Sequence, residues 1–174
     1  MKHKPTAGAV FGSWRIDFEK TTLPQVLSRV SVGDIRHAGE AGDSIYWLCY
    51  TVSGHTPARI WITAHGEMGG PERAVTGITV TRVIAGQAVA ECPALPARLL
   101  PVSLQGSIWI GMRETSLAGR LGAPSHRSDG WISYDFEGKK PGNCPGGFDV
   151  MNSLLLKTRQ GSVEEIYASQ VTSC

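Results

Sequence analysis

The side chains with the most definite chemistry are four cysteines, Cys49, Cys92, Cys144 and Cys174. They form no CxxC pair, and the five histidines at 3, 37, 55, 65 and 126 fall without ligand spacing, so neither a metal site nor a cofactor is expected. An even, dispersed set of cysteines reads as two disulfides, which persist in oxidising compartments. Four reduced thiols are the competing reading, because Cys49 lies within an apolar, strand-like run. Catalytic groups are scarcer. Glu67 and Glu72 flank the Gly-rich turn "GEMGGPE", and Asp135 lies two residues before Glu137, but neither pair has a partner at the spacing that acid–base work needs. His65 stands beside no GxSxG sequence, no Cys and His arrangement is evident, and "GEMGG" lacks the Lys-Ser/Thr of a phosphate loop. The expectation is a chain that is not an enzyme.

The wider composition removes other classes of partner. In 174 residues, 17 basic side chains face 15 acidic ones for a net charge of +2, with no Lys/Arg cluster, so nucleic acid is not an expected partner. Charge-free stretches such as Leu99 to Met112 are too short for a bilayer and carry Pro, Ser, Gln and Gly; no transmembrane segment is expected. Met1-Lys2-His3-Lys4-Pro5 leads into no apolar leader, which argues against export. The cysteines argue for it and weigh more, so a periplasmic or secreted location is expected.

The elements that position these residues occur twice. "GSW" at Gly12–Trp14 matches "GSI" at Gly106–Ile108, and "WLCYTV" at Trp47–Val52 matches "WISYDF" at Trp131–Phe136. "RIWITAHG" at Arg59–Gly66 corresponds to "SLLLKTRQG" at Ser153–Gly161, and "VTGITVTRV" at Val75–Val83 to "VEEIYASQV" at Val163–Val171. Helical spacing follows the first match in both halves, through Leu23, Val26, Leu27 and Val30, then through Leu117 and Leu121. Collinear matches at similar offsets indicate a duplication. Each unit reads as a strand, a short helix and a three-strand meander, so the expected fold class is α+β: two tandem helix-plus-antiparallel-sheet units forming one curved sheet with helices on one face. The first unit spans residues 9–89, a Pro-rich linker 90–103, and the second unit 104–174. Pairing Cys49 with Cys92, which lies just beyond the last strand of the first unit, and Cys144 with Cys174 in the second is the economical choice among three connectivities.

Residues Ile110–Phe136, "IGMRETSLAGRLGAPSHRSDGWISYDF", resemble the signature of the SmpA/OmlA (BamE-type) outer-membrane lipoproteins, with Gly111, Leu117, Leu121, Gly122, Pro124, Trp131 and Tyr134 at the matching places. The doubled element order is similar to the tandem-repeat β-lactamase inhibitory protein fold, in which a sheet grips an enzyme. The first unit departs from the pattern, since Ser31-Val32-Gly33-Asp34 replaces "LG-x-P". The resemblance implies a fold and a habit of binding protein, and fold alone does not settle function.

Strand alternation divides the meander residues into two faces. Tyr46, Leu48, Tyr50 and Val52, with Ile132, Tyr134 and Phe136 as their counterparts and Ile60, Ile62, Ile78, Val80, Leu154, Leu156 and Ile166 beside them, form the apolar set expected to face the helices. Trp47, Trp61, Trp131 and Tyr167 then fall on the opposite face among His65, Asp135, Lys157 and Arg159, a mixture typical of interface hot spots. A slip of one residue would bury them all. The function expected on this ground is binding of another protein, an enzyme or a secreted toxin, as an inhibitor or immunity protein. The rings would anchor and the charged residues set complementarity. An envelope-assembly or structural lipoprotein module is the alternative.

Overall fold

A computed structural model describes residues 2–83 and 91–174. The last part of the expected first unit, 84–89, and residue 90 of the expected linker lie outside the described residues. In chain order the elements are β1 (Gly8–Phe11), β2 (Trp14–Asp17), α1 (Leu23–Val30), β3 (Arg36–Ala38), β4 (Ile45–Val52), β5 (Ala58–His65), α2 (Gly66–Gly69) and β6 (Gly77–Arg82). They continue with β7 (Val102–Leu104), α3 (Leu117–Leu121), β8 (His126–Ser128), β9 (Trp131–Lys140), β10 (Phe148–Arg159) and β11 (Ser162–Ser173).

Two antiparallel sheets carry the structure. The larger has eight strands in the order β3-β4-β5-β6-β11-β10-β9-β8, and the smaller three in the order β2-β1-β7. The large sheet reads alike from both edges toward its centre, where β6 meets β11 antiparallel. The small sheet is joined in the same way, because β1 from one half pairs with β7 from the other through Ala9–Leu104 and Phe11–Val102.

The α+β expectation with helices on one face is overturned. Strands dominate, and the helices are short: eight residues in α1, four in α2 and five in α3. The expected second helix over Thr115–Leu121 is a 3-10 turn at Glu114–Ser116 followed by one and a half turns of α-helix, because Gly119 weakens it and Gly122 ends it at a positive φ of 78°. The small sheet shares the covering of the large sheet with α1, which packs on β4 and β5. Phe11, Ile16 and Leu104 from the small sheet share one buried cluster with Leu23, Val26, Leu117 and the inward residues Tyr50, Ile60, Ile62, Ile132, Tyr134, Leu154 and Ile166.

α1 is the one well-specified helix. Thr22 and Gln25 form a reciprocal capping box, Pro24 stands in the first turn, and Ser31 closes the helix at φ 66°. Leu23, Val26 and Val30 face the core. Its last carbonyls are met from the linker, where an Arg98 guanidinium nitrogen donates to both Arg29 O and Val30 O at 3.0 Å. Disulfides join Cys49 to Cys92 and Cys144 to Cys174. Thr51 holds the first of these segments to β4, donating N–H to Pro93 O at 2.9 Å and accepting from Leu95 N–H at 2.8 Å. No helix among the described residues is long and apolar enough to cross a membrane.

Candidate interaction surface on the outer sheet face

Antiparallel register turns strand alternation into rungs that cross the outer face of the large sheet. One rung reads Trp47, Thr63, Gly77, Ser169, Ser153, Asp135. The next reads Cys49, Trp61, Thr79, Tyr167, Leu155, Ser133, and a third reads Thr51, Arg59, Thr81, Glu165, Lys157, Trp131. Their strand neighbours, Leu48, Tyr50, Ile60, Ile62, Ile78, Val80, Ile132, Tyr134, Leu154, Leu156 and Ile166, are at most 1% exposed. Of the outer set Cys49 and Gly77 are buried, while Trp47, Trp61 and Trp131 are half-buried, Tyr167 is 37% exposed and Met151 52%.

Small residues occupy the middle of the first rung, and larger ones stand in the two rungs beside it. On one flank the Trp131 and Tyr167 ring centroids are 5.9 Å apart, and Lys157 Nζ lies 5.2 Å from the Trp131 ring centroid. The same ammonium is 3.0 Å from Glu165 Oε1, while the Tyr167 hydroxyl donates to Glu165 Oε2 at 2.6 Å. That hydrogen bond, then partial burial and the adjacent negative charge, push the Tyr167 phenol up to about 12. The Tyr167 hydroxyl, with Lys157, holds the Glu165 carboxyl below its ordinary range, against the opposing effect of partial burial. On the other flank the Arg59 guanidinium lies 5.5 Å from the Trp61 ring centroid. Both flanks therefore present a ring held by a cation.

The remaining expected residues are placed unequally. Asp135 ends the first rung and accepts hydrogen bonds from Ser153 Oγ at 2.6 Å and Ser133 Oγ at 3.0 Å. His65 closes β5, exposed, with Nδ1 3.0 Å from Thr76 Oγ1. Arg159 is exposed at the end of β10, beside the β10–β11 turn and past a register shift at which Glu164 of β11 is left without a partner on β10. Arg59, Met151, Leu155 and Glu165 belong to the face and were not anticipated, although the alternation that turned Lys157 and Tyr167 outward applies equally to them. Among the described residues no three His, Cys, Asp or Glu side chains gather as metal ligands would. Compared with known proteins, the chain matches no protein-family model, no curated protein and no solved structure.

Proposed function

We propose that this chain is a periplasmic or secreted protein-binding module that inhibits a partner enzyme or toxin by laying the outer face of its large sheet over it. The observation that carries the reading is the set of ring-bearing side chains, Trp47, Trp61, Trp131 and Tyr167, held at the surface of a sheet whose other face alone builds the core. Rigid rings bury much area on binding and lose little freedom, so a rigid sheet displaying them is suited to docking. Their cationic neighbours, Lys157 and Arg59, and the acidic Asp135 and Glu165 supply the charge pattern that selects a partner. The two disulfides fit an oxidising compartment.

The test is an inhibition screen in which secreted hydrolases, beginning with β-lactamases and cell-wall hydrolases, are assayed with and without the chain. Inhibition at one-to-one stoichiometry is expected for one of them. Trp61→Ala or Trp131→Ala should each weaken it by about 2 kcal/mol or more, on the order of thirtyfold, with the melting temperature nearly unchanged. If no hydrolase is inhibited, or if the alanine changes lower stability and leave inhibition intact, the reading fails.

A further inference from the structure

Two cations stand beside tryptophan rings on the outer face, and they differ in what balances them. Lys157 has its own acid: its Nζ is 3.0 Å from Glu165 Oε1, and the other oxygen of that carboxylate accepts from the Tyr167 hydroxyl. Arg59 has none. Among the described residues no carboxylate pairs with it and its guanidinium makes no hydrogen bond, although Nε is shut off from solvent. The register explains the isolation. Arg59 pairs with Thr51 of β4 and Thr81 of β6, and the neighbouring rung places Cys49, Trp61 and Thr79 beside these three, all of them uncharged. Along its own rung the first acid is Glu165, two strands or about 10 Å away, with both oxygens already engaged.

A guanidinium has no neutral form to adopt, so the water it gives up on this sheet is a cost that nothing within the chain offsets in full. The Trp61 ring, its centroid 5.5 Å from the guanidinium carbon, recovers part of that cost and restrains the group. Arg59 is half-buried rather than buried, so the rest of its planar fork is reachable from outside. Such a fork matches the two oxygens of a carboxylate, and arginine is among the residues that anchor interfaces.

We propose that Arg59 receives a side-chain carboxylate of the docked partner, an Asp or Glu set down beside Trp61. This rests on the docking reading above and adds to it the charge that the partner must present at β5. A partner with Lys or Arg at that place would set two cations against each other and is rejected by the same contact. The Lys157 flank, already neutralised by Glu165, makes no such demand.

The experiment titrates 3-phenylpropionate, a carboxylate carrying a ring that can lie on Trp61, into the isotope-labelled full chain, with 3-phenylpropionamide and 3-phenylpropylammonium as controls of the same shape. The Arg59 Nε–H resonance is expected to shift with the carboxylate and to stay in place with both controls. Arg59→Gln should weaken 3-phenylpropionate binding at least about tenfold, and Arg59→Lys, which keeps the charge and loses the fork, by a smaller factor; the second remains informative should the first misfold. Arg82→Gln removes a positive charge from the adjacent strand, one already paired with Glu164 at 3.5 Å, and should leave binding as it is. The proposal is overturned if the carboxylate binds elsewhere or not at all, if either control shifts Arg59 as strongly, or if the folded Arg59 variants bind it as the parent does. Against an enzyme that the chain inhibits, Arg59→Gln should weaken inhibition about thirtyfold, with Arg59→Lys recovering part of the loss. Inhibition lost in Trp61→Ala but kept in Arg59→Gln leaves docking intact and overturns the carboxylate contact. Carboxylate-selective binding at Arg59 with inhibition unaffected by Trp61→Ala removes docking and leaves the preference of Arg59 for an anion standing.

Discussion

Removal of one disulfide at a time gives a quantitative test of how the fold is held. Cys49–Cys92 spans a sequence separation of 43 and Cys144–Cys174 one of 30. By loop-closure entropy alone these are worth about 4.0 and about 3.6 kcal/mol, nearly equal. Their surroundings are unequal. Cys49 and Cys92 are each 6% exposed, and the segment that they anchor also bonds to Thr51 through Pro93, Leu95 and the Cys92 carbonyl, which accepts from Thr51 Oγ1 at 2.9 Å. Cys174 is exposed and closes the far end of β11. The double variant Cys49→Ala/Cys92→Ala is therefore expected to lose at least about 4 kcal/mol, which for a chain of this size lowers the melting temperature by about 8–16 °C. Cys144→Ser/Cys174→Ser is expected to lose no more than about 3.6 kcal/mol and to leave tryptophan fluorescence unchanged, since Trp131 pairs with Lys157 while the bridge sits beside Asp149, about 27 Å along β10. The assay is differential scanning calorimetry with fluorescence on both variants, together with thiol labelling of the parent during titration with dithiothreitol, in which Cys144 and Cys174 should label first. A Cys49/Cys92 variant melting within about 2 °C of the parent, or one more stable than the Cys144/Cys174 variant, would refute the reasoning.

Other outcomes follow from single groups. The Tyr50 hydroxyl is buried with no hydrogen-bond partner, so Tyr50→Phe should leave stability unchanged or raise it by up to about 1 kcal/mol in urea unfolding. Burial pushes the Tyr50 phenol, and chiefly its bond to Glu165 the Tyr167 phenol, up to about 12. Because the folded state holds these protons more tightly than the unfolded chain does, their stabilisation is intact below about pH 10 and is lost as pH climbs from there to about 12. Burial also raises the Tyr134 phenol, so ultraviolet titration should show three late-ionising tyrosines, and Glu165→Gln should bring Tyr167 back down while leaving Tyr50 and Tyr134 late. Arg98→Ala strips two α1 carbonyls of their donor and should cost about 1–2 kcal/mol by thermal melting, more than its exposed position suggests.

Period-two patterning made the faces of the large sheet legible, because each meander strand must bury one side and in "YWLCYTV" the set Leu48, Tyr50 and Val52 is the more apolar, whereas the consecutive leucines of "NSLLLKT" show no such preference by themselves. The covering layer was not legible in the same way. "GSW" and "GSI" read as matching starts of two strands, and they are tight turns, with Gly12 at φ 61° and Gly106 at φ 98°; what they turn between is a small sheet that joins Ala9 to Leu104 across 95 positions. No local pattern encodes such a pairing. Leu117 and Leu121 carried a helical period, yet four residues are too few to distinguish a helix of two turns from one that Gly119 and Gly122 cut short. At the candidate site the aromatic residues were legible through their alternation, whereas the register shift that leaves Glu164 of β11 unpaired has no signature in composition.

The central seam has a consequence for how the chain can be taken apart. β6 meets β11, β1 meets β7, and the Arg98 guanidinium of the linker reaches back to α1, so the halves are held to each other by strand pairing as well as by the peptide that connects them. Two polypeptides divided between Leu95 and Val102 would each keep one internal cross-link and each expose an unpaired central strand that its complement fits. Such a protein behaves as a tethered heterodimer, and its halves, fused to separate baits, would form a two-piece reporter whose reconstitution restores the ring-bearing surface.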